Sequence, residues 1–226
     1  MQTITVTNNL FATETALQNL AEKDRARILV VSDSHGKYDS LENIVLRYGK
    51  DCDALVHCGD GNTDLTTLIK KSVKDEKIDE ALPPVIAFVR GNCDEPYYNL
   101  GSLAPKKTIF KRPECINPQS QLLTVNGIQI LIAHGHSYGV SFERMGLEAK
   151  ILGCKAVLYG HTHVSSDNTL NDIRFINPGS CSFPRDNHNA SFAILTIGSN
   201  FIDAAFLQRT EAGNPLSEFK IYTPLA

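Results

Sequence analysis

Five short apolar runs in this chain each end in a glycine-flanked cluster of carboxylate, imidazole or amide side chains, and this pattern restricts the fold more than any other feature. Ile28 to Val31 precedes Asp33-Ser34-His35-Gly36, Ala54 to His57 precedes Cys58-Gly59-Asp60-Gly61, and Val85 to Val89 precedes Arg90-Gly91-Asn92-Cys93-Asp94. Ile128 to Ala133 precedes His134-Gly135-His136, and Ala156 to Tyr159 precedes Gly160-His161-Thr162-His163. Short runs rich in β-branched residues and bounded by glycine read as strands. Between the first three lie helical stripes. One is Leu41, Ile44, Val45 and Tyr48, closed by Gly49. The other is Leu65, Leu68 and Ile69, whose charged tail runs to Leu82 before Pro83-Pro84. Strand, helix, strand at this spacing predicts β-α-β units and a parallel sheet. Ligands gather at the carboxyl ends of strands in such sheets, where all five clusters lie.

Downstream, Leu122 to Val125, Asn126-Gly127 and Ile128 to Ala133 read as a hairpin with a type I′ turn. Phe142 to Leu152 reads as a helix ending at Gly153. After Asp167 come the short runs Ile173 to Ile176, Ser191 to Ile197, Phe201 to Leu207 and Phe219 to Tyr222, which predict a second, partly antiparallel sheet. Two mixed sheets face to face with helices outside give an α/β class, four-layer αββα sandwich. The opening segment contains a helical stripe at Leu17, Leu20 and Ala21, with Thr13 placed to cap it. Glu95 to Gln119, with Pro96, Pro105, Pro113 and Pro118, is the least regular stretch and is expected to border the site.

With 226 residues, 42% of them hydrophobic, the chain suits one domain that buries its core without disulfides. A net charge of −3 supplies no basic excess for nucleic acid. The cluster Lys106, Lys107, Lys111 and Arg112 reads as a solvated loop. The six cysteines form no C-x-x-C pair, and Cys52, Cys58 and Cys154 lie in or beside apolar runs, which points to a reducing compartment. The N-terminus lacks a basic region followed by an apolar core, and no run approaches a membrane span. A cytoplasmic location is expected.

Taken singly, each polar cluster has an ordinary explanation: D-x-H as a turn acid, G-D and G-N as corners, a strand-end histidine as a packed one. Together they supply the mixed oxygen and nitrogen donors of a two-metal hydrolytic centre. Two residues apart in an extended segment, side chains point the same way. Asp33 and His35 would then grip one ion, and His161 and His163 two adjacent ones. Asp94 is expected to orient a ligand or cap a turn, and Asn177 to fix a turn beneath the site. His57 is expected to pack under the site, and His188 to be exposed.

The motifs D-S-H-G (33–36), G-D-G (59–61), G-N-C-D (91–94), H-G-H (134–136), G-H-T-H (160–163) and N-P-G-S (177–180) resemble those of the calcineurin-like metallophosphoesterases. The nearest resemblance is to the small bacterial and archaeal phosphodiesterase branch, which shares its fold with a vacuolar-sorting retromer subunit. It spans about Ile28 to Leu207. Residues 1–26 stand outside it as an N-terminal extension, with 27–226 as a single domain. The resemblance implies two divalent cations, the first held by Asp33, His35 and His163, the second by Asn92, His134 and His161. Asp60 would bridge them, and a bridged hydroxide would attack phosphorus in line.

Catalytic roles fall on His134, Asp60 and Cys93, and substrate contacts on Asn92, Cys93 and His136, although His136 also has a structural reading. Many superfamily members carry a histidine where this chain has Cys93. A thiol of ordinary pKa is a poorer acid near neutrality than an imidazolium, so leaving groups that need little protonation are expected. The reading is a phosphodiesterase acting on a small phosphoester. A phosphomonoesterase and a non-catalytic interaction scaffold are the alternatives. Manganese is the expected metal, with iron, zinc, cobalt or nickel as alternatives. A homo-oligomer is compatible with the chain.

Overall fold

The computed structural model describes residues 6–7, 10–100, 114–185 and 187–224. The basic cluster Lys106, Lys107, Lys111 and Arg112 lies outside them. In chain order the elements are β1 (Val6–Thr7), β2 (Leu10–Phe11), α1 (Glu14–Glu22), β3 (Arg25–Val31), α2 (Tyr38–Tyr48), β4 (Ala54–His57), α3 (Asn62–Ser72), α4 (Glu76–Ala81) and β5 (Val85–Phe88). Then follow β6 (Tyr97–Asn99), β7 (Glu114–Ile116), β8 (Ser120–Val125), β9 (Ile128–Ala133), α5 (Phe142–Ile151), β10 (Ala156–Leu158), β11 (Ser165–Leu170), β12 (Ile173–Pro178), β13 (Ser191–Gly198), β14 (Phe201–Arg209) and β15 (Phe219–Tyr222).

Alternation along the strands builds two mixed sheets. The larger has the order β1-β2-β5-β4-β3-β13-β14-β15 and the smaller β11-β12-β10-β9-β8. On β3, Ile28 and Val30 point into a layer shared with Ile130 and Ile132 of β9 and Leu158 of β10. Leu29 and Val31 point the other way, onto Leu41, Ile44 and Val45 of α2 and Leu65, Leu68 and Ile69 of α3. The outer face of the smaller sheet, with Leu131, Val157 and Phe175, is covered by Met145 and Ala149 of α5. Three buried layers between four tiers of structure are the expected αββα sandwich.

The segment before β3 packs into this core. Leu10 and Leu20 are buried in the inter-sheet layer, and Thr13 caps α1 by accepting from Ala16 N. The β8–β9 turn donates from Asn126 N to Leu20 O and from Gly127 N to Ala21 O. Asn126 and Gly127 both have positive φ (48° and 69°), as a type I′ turn requires.

Three expectations change. The charged tail after Ile69 is not one helix. It breaks between α3 and α4, where the Asp75 carboxylate accepts from Lys77 N and starts a new turn. The C-terminal strands β13 to β15 do not join the second sheet but extend the first, because β13 pairs antiparallel with β3. Alternation identifies a strand's faces, not its neighbour. The smaller sheet instead gains β11, a polar edge strand (Ser165–Leu170) without an apolar signature. The proline-rich stretch also forms a short pair, β6 with β7. No helix among the described residues is long and apolar enough to cross a membrane.

Phe88 is fully buried, with ring centroids 5.3 Å from Phe11 and 5.1 Å from Tyr98. Phe88→Ala is expected to lower the unfolding free energy by about 3–5 kcal/mol, read from urea denaturation. A loss under about 1 kcal/mol would mean that this aromatic cluster contributes little.

Candidate metal centre

The five clusters converge at the carboxyl ends of β3, β4, β5, β9 and β10. Asp33, Asp60, His134 and His163 are buried, His35 and His161 are half-buried, and Asn92 and Cys93 are exposed. His163 Nε2 lies 3.3 Å from Asp33 Oδ1, and His35 Nε2 lies 3.0 Å from His163 Nε2 and 3.7 Å from Asp33 Oδ1. Asp60 Oδ2 lies 3.6 Å from His35 Nε2 and 3.4 Å from His134 Nε2. Asn92 Oδ1 is 3.3 Å from His134 Nε2. Three groupings have ligand atoms within 4.8 Å of one another: Asp33–His35–His163, Asp33–Asp60–His134 and His35–Asp60–Cys93. None includes His161, whose ring stands 5.1 Å from that of His134 and 6.1 Å from that of His136.

Backbone conformation aims these side chains. Asp33, His35, Asp60, His161 and His163 all have φ between 46° and 72°. The left-handed region costs a non-glycine residue about 1–2 kcal/mol. The extended alternation expected for D-x-H and H-x-H is therefore absent, and convergence comes from tight left-handed corners instead. Hydrogen bonds hold those corners. Asp33 N donates to Gly59 O (3.0 Å) and His35 N to Asp60 O (3.0 Å), which locks the first two loops together. Ser180 Oγ and Ser182 Oγ both donate to Asp33 O, at 2.7 and 2.9 Å.

Asp94 gathers a second set of donors. Its carboxylate accepts from Asp60 N (2.7 Å), Gly61 N (3.0 Å), Asn62 N (3.0 Å) and Gly91 N (2.9 Å). It thus caps α3 and fixes both the Asp60 and Asn92 loops. Asn177 Nδ2 donates to Gly160 O and to Thr162 Oγ1, fixing the G-H-T-H turn from beneath. His57 is fully buried below the site, and its Nδ1 accepts from Gly59 N. His188 is not simply exposed: it is half-buried and edge-on to Tyr222 at 4.8 Å, away from the site. The sequence reading missed buried Asp64, which accepts from Ser34 Oγ (2.5 Å) and Gly36 N (2.9 Å). Its signal was an acid beside Leu65 and Leu68 on an otherwise apolar helix face.

The donor set fits a cation. His134 Nδ1 donates to Cys58 O (2.7 Å) and His163 Nδ1 to Phe183 O (2.5 Å), so in the neutral rings both Nε2 atoms present lone pairs to the site. They face Asp33 Oδ1, which is buried and has no hydrogen-bond partner, although Oδ2 of the same carboxylate accepts from Ser32 Oγ and His161 N. Lone pairs facing carboxylate oxygens repel unless a positive charge lies between them. Without a metal, the same carboxylates favour the protonated form of His134. Burial alone would lower the His134 pKa, yet facing Asp60 and Asp33 raises it. For Asp60, burial pushes upward, but His134 and the Cys93 amide bring its pKa well below the usual carboxylate range.

Comparison with known proteins agrees with this geometry. The calcineurin-like phosphoesterase superfamily domain matches residues 27–200. The chain belongs to that superfamily. It is 30% identical over 195 residues to the probable metallophosphoesterase YsnB of Bacillus subtilis, covering 85% of this chain and 96% of that protein. It is 26% identical to the phosphodiesterase YfcE of Escherichia coli K12, covering 75% and 86% of the two chains. The structure of vacuolar protein sorting 29 from Cryptosporidium parvum superposes with a TM-score of 0.65 at 15% identity, over 88% of this chain and 97% of that one, a likeness of fold alone. The superfamily is metal-dependent, and Asp33, His35, Asp60, His134 and His163 form this chain's candidate ligand cluster.

Gly91 shows how tightly the loops close. A Cβ there would lie 1.9 Å from Asp60 Oδ1. Gly91→Ala is expected to weaken manganese binding by about 10- to 100-fold, the range seen when a ligand's support is lost, as measured by isothermal titration. Unchanged affinity would show that Asp60 need not sit where the structure places it.

Proposed function

We propose that this protein is a phosphodiesterase that uses two divalent cations to hydrolyse a small phosphoester. The observation that carries the reading is Asp60 Oδ2, which faces His35 on one side and His134 on the other. A carboxylate so placed suits a bridge between two ions. Asp33, His35 and His163 would hold one, and Asn92, His134 and His161 the other. Bound there, the ions would supply Lewis-acid polarisation of phosphoryl oxygens and a nucleophilic water at neutral pH. Mixed carboxylate, amide and imidazole donors suit manganese first, with iron, zinc, cobalt or nickel accepted as supply allows.

The chain's own groups do the positioning. His134 is held by Cys58 O so that its Nε2 faces the reacting centre, and the Cys93 amide donates to Asp60 Oδ1 at 2.7 Å. Asn92 and Cys93 are exposed and His136 stands beside His134, so these three would meet substrate, and one nitrogen of His136, Nδ1, is buried without a partner. Desolvation by the surrounding loop and neighbouring Asp60 both push the thiol pKa of exposed Cys93 up. The thiol thus stays protonated at neutral pH but gives up its proton reluctantly. This favours leaving groups that depart as stable oxyanions. The name phosphodiesterase carried by YfcE supports the diester over the monoester reading. The scaffold alternative has only the fold likeness to vacuolar protein sorting 29 in its favour, at 15% identity, and all seven expected ligand residues are present here.

Asp60→Asn is expected to reduce manganese-dependent hydrolysis of bis(p-nitrophenyl) phosphate by about 100-fold or more with the circular-dichroism spectrum unchanged. Near-normal turnover in that variant would remove Asp60 as the bridge. Cys93→His is expected to raise turnover of a diester with a poor leaving group, measured between about pH 6 and 9. No gain across that range would show that leaving-group protonation at residue 93 does not limit the reaction.

A further inference from the structure

Phe183 is the exposed large apolar side chain, among those described, whose ring packs against a candidate ligand. It is 45% exposed, and its ring centroid lies 6.1 Å from that of His35, edge-on at 71°. Its backbone is fixed by the centre itself. Phe183 O accepts from His163 Nδ1 at 2.5 Å, and Phe183 N donates to Ser180 Oγ at 2.7 Å. Lys37, on the same loop as His35, places its ammonium 5.4 Å from the Phe183 ring centroid. Exposed apolar side chains scattered over a surface need no explanation. An exposed aromatic ring anchored beside the candidate metal centre, with the Lys37 ammonium over it, matches the stacking platform and basic group with which proteins hold single-stranded nucleotides.

We propose that Phe183 is the specificity platform of this site, and that the substrate is a nucleoside phosphodiester whose base stacks on its ring. The proposal rests on the phosphoesterase reading. With phosphorus seated between His35, His163 and Asp60, His35 separates the phosphoryl group from Phe183. A substituent on one ester oxygen therefore passes over His35 toward the part-exposed ring. Lys37 adds positive charge beside the phosphate's path. Every base has a π-face, so the platform selects for a planar aromatic arm without choosing among bases. An aliphatic arm would gain contact but no stacking.

The test is equilibrium binding to the manganese-loaded protein, which does not require turnover. Adenosine 5′-monophosphate is compared with ribose 5-phosphate, which lacks the base. Wild type is expected to prefer the nucleotide by about tenfold. Phe183→Leu, which keeps apolar bulk but removes the π-face, is expected to bring that ratio to within about twofold, and Phe183→Trp to retain it. A ratio near one in wild type, a ratio unmoved by Phe183→Leu, or failure to bind either ligand overturns the platform. Hydrolysis of bis(p-nitrophenyl) phosphate, which carries aromatic arms but no nucleoside, is read in parallel. Its absence beside an intact binding ratio would defeat the hydrolase reading and leave the platform standing.

Discussion

Asp33 Oδ1, a buried carboxylate oxygen with no hydrogen-bond partner, and Asp60 Oδ2 together face the imidazole nitrogens of His35, His134 and His163. This arrangement is stable only with positive charge at its centre, and the rest of the molecule serves to hold it. Folding places like-charged carboxylates and bare lone pairs together, which opposes stability, so the loops that carry them must be fixed independently. The backbone bonds between the Asp33 and Asp60 loops, the four amides on Asp94 and the two serines on the Asp33 carbonyl do this. A cation then binds a prepared site and is spared most of the ordering cost.

The cost of that preparation sits in the backbone. Five of the seven candidate ligands occupy left-handed corners, a conformation that L-residues with side chains rarely adopt. Such strain persists where the surroundings over-determine it, and it clusters at functional sites. Here the two glycines that meet the carboxylates are also constrained by space. A Cβ at Gly160 would lie 2.0 Å from Ser32 Oγ and 2.8 Å from Asp33 Oδ2, just as Gly91 abuts Asp60. The absence of two methyl groups keeps both acids in place.

Much of this was legible in the residues. Apolar runs and helical stripes located β3 to β5, α2, α5 and the β8–β9 hairpin, because burial on known faces leaves a periodic trace. The polar clusters marked the strand ends, since no ordinary core explains so many donors beside glycine. What the sequence could not convey was conformation and partnership. Asp33-Ser34-His35 looks the same whether it runs extended or turns left-handed. The alternation of Ser191 to Ile197 does not say that its neighbour is β3. Asp64 was hidden because a buried acid on a helix looks like a surface one until its donors, Ser34 Oγ and Gly36 N, are seen. Phe183 was overlooked because a lone aromatic after a serine-rich turn has no period to betray it.

The serine clamp on Asp33 has a consequence for synthesis. Ser180 and Ser182 meet the Asp33 carbonyl across 147 and 149 residues of chain, and the pairing of β13 with β3 spans a similar stretch. A polypeptide emerging from the ribosome therefore displays the aspartate and histidine of its first loop long before the serines that clamp it exist. Until then, only the bonds to the Asp60 loop and to Asp64 shape that loop. The final shape of the Asp33 corner is thereby set only once the serine turn before β13 is in place.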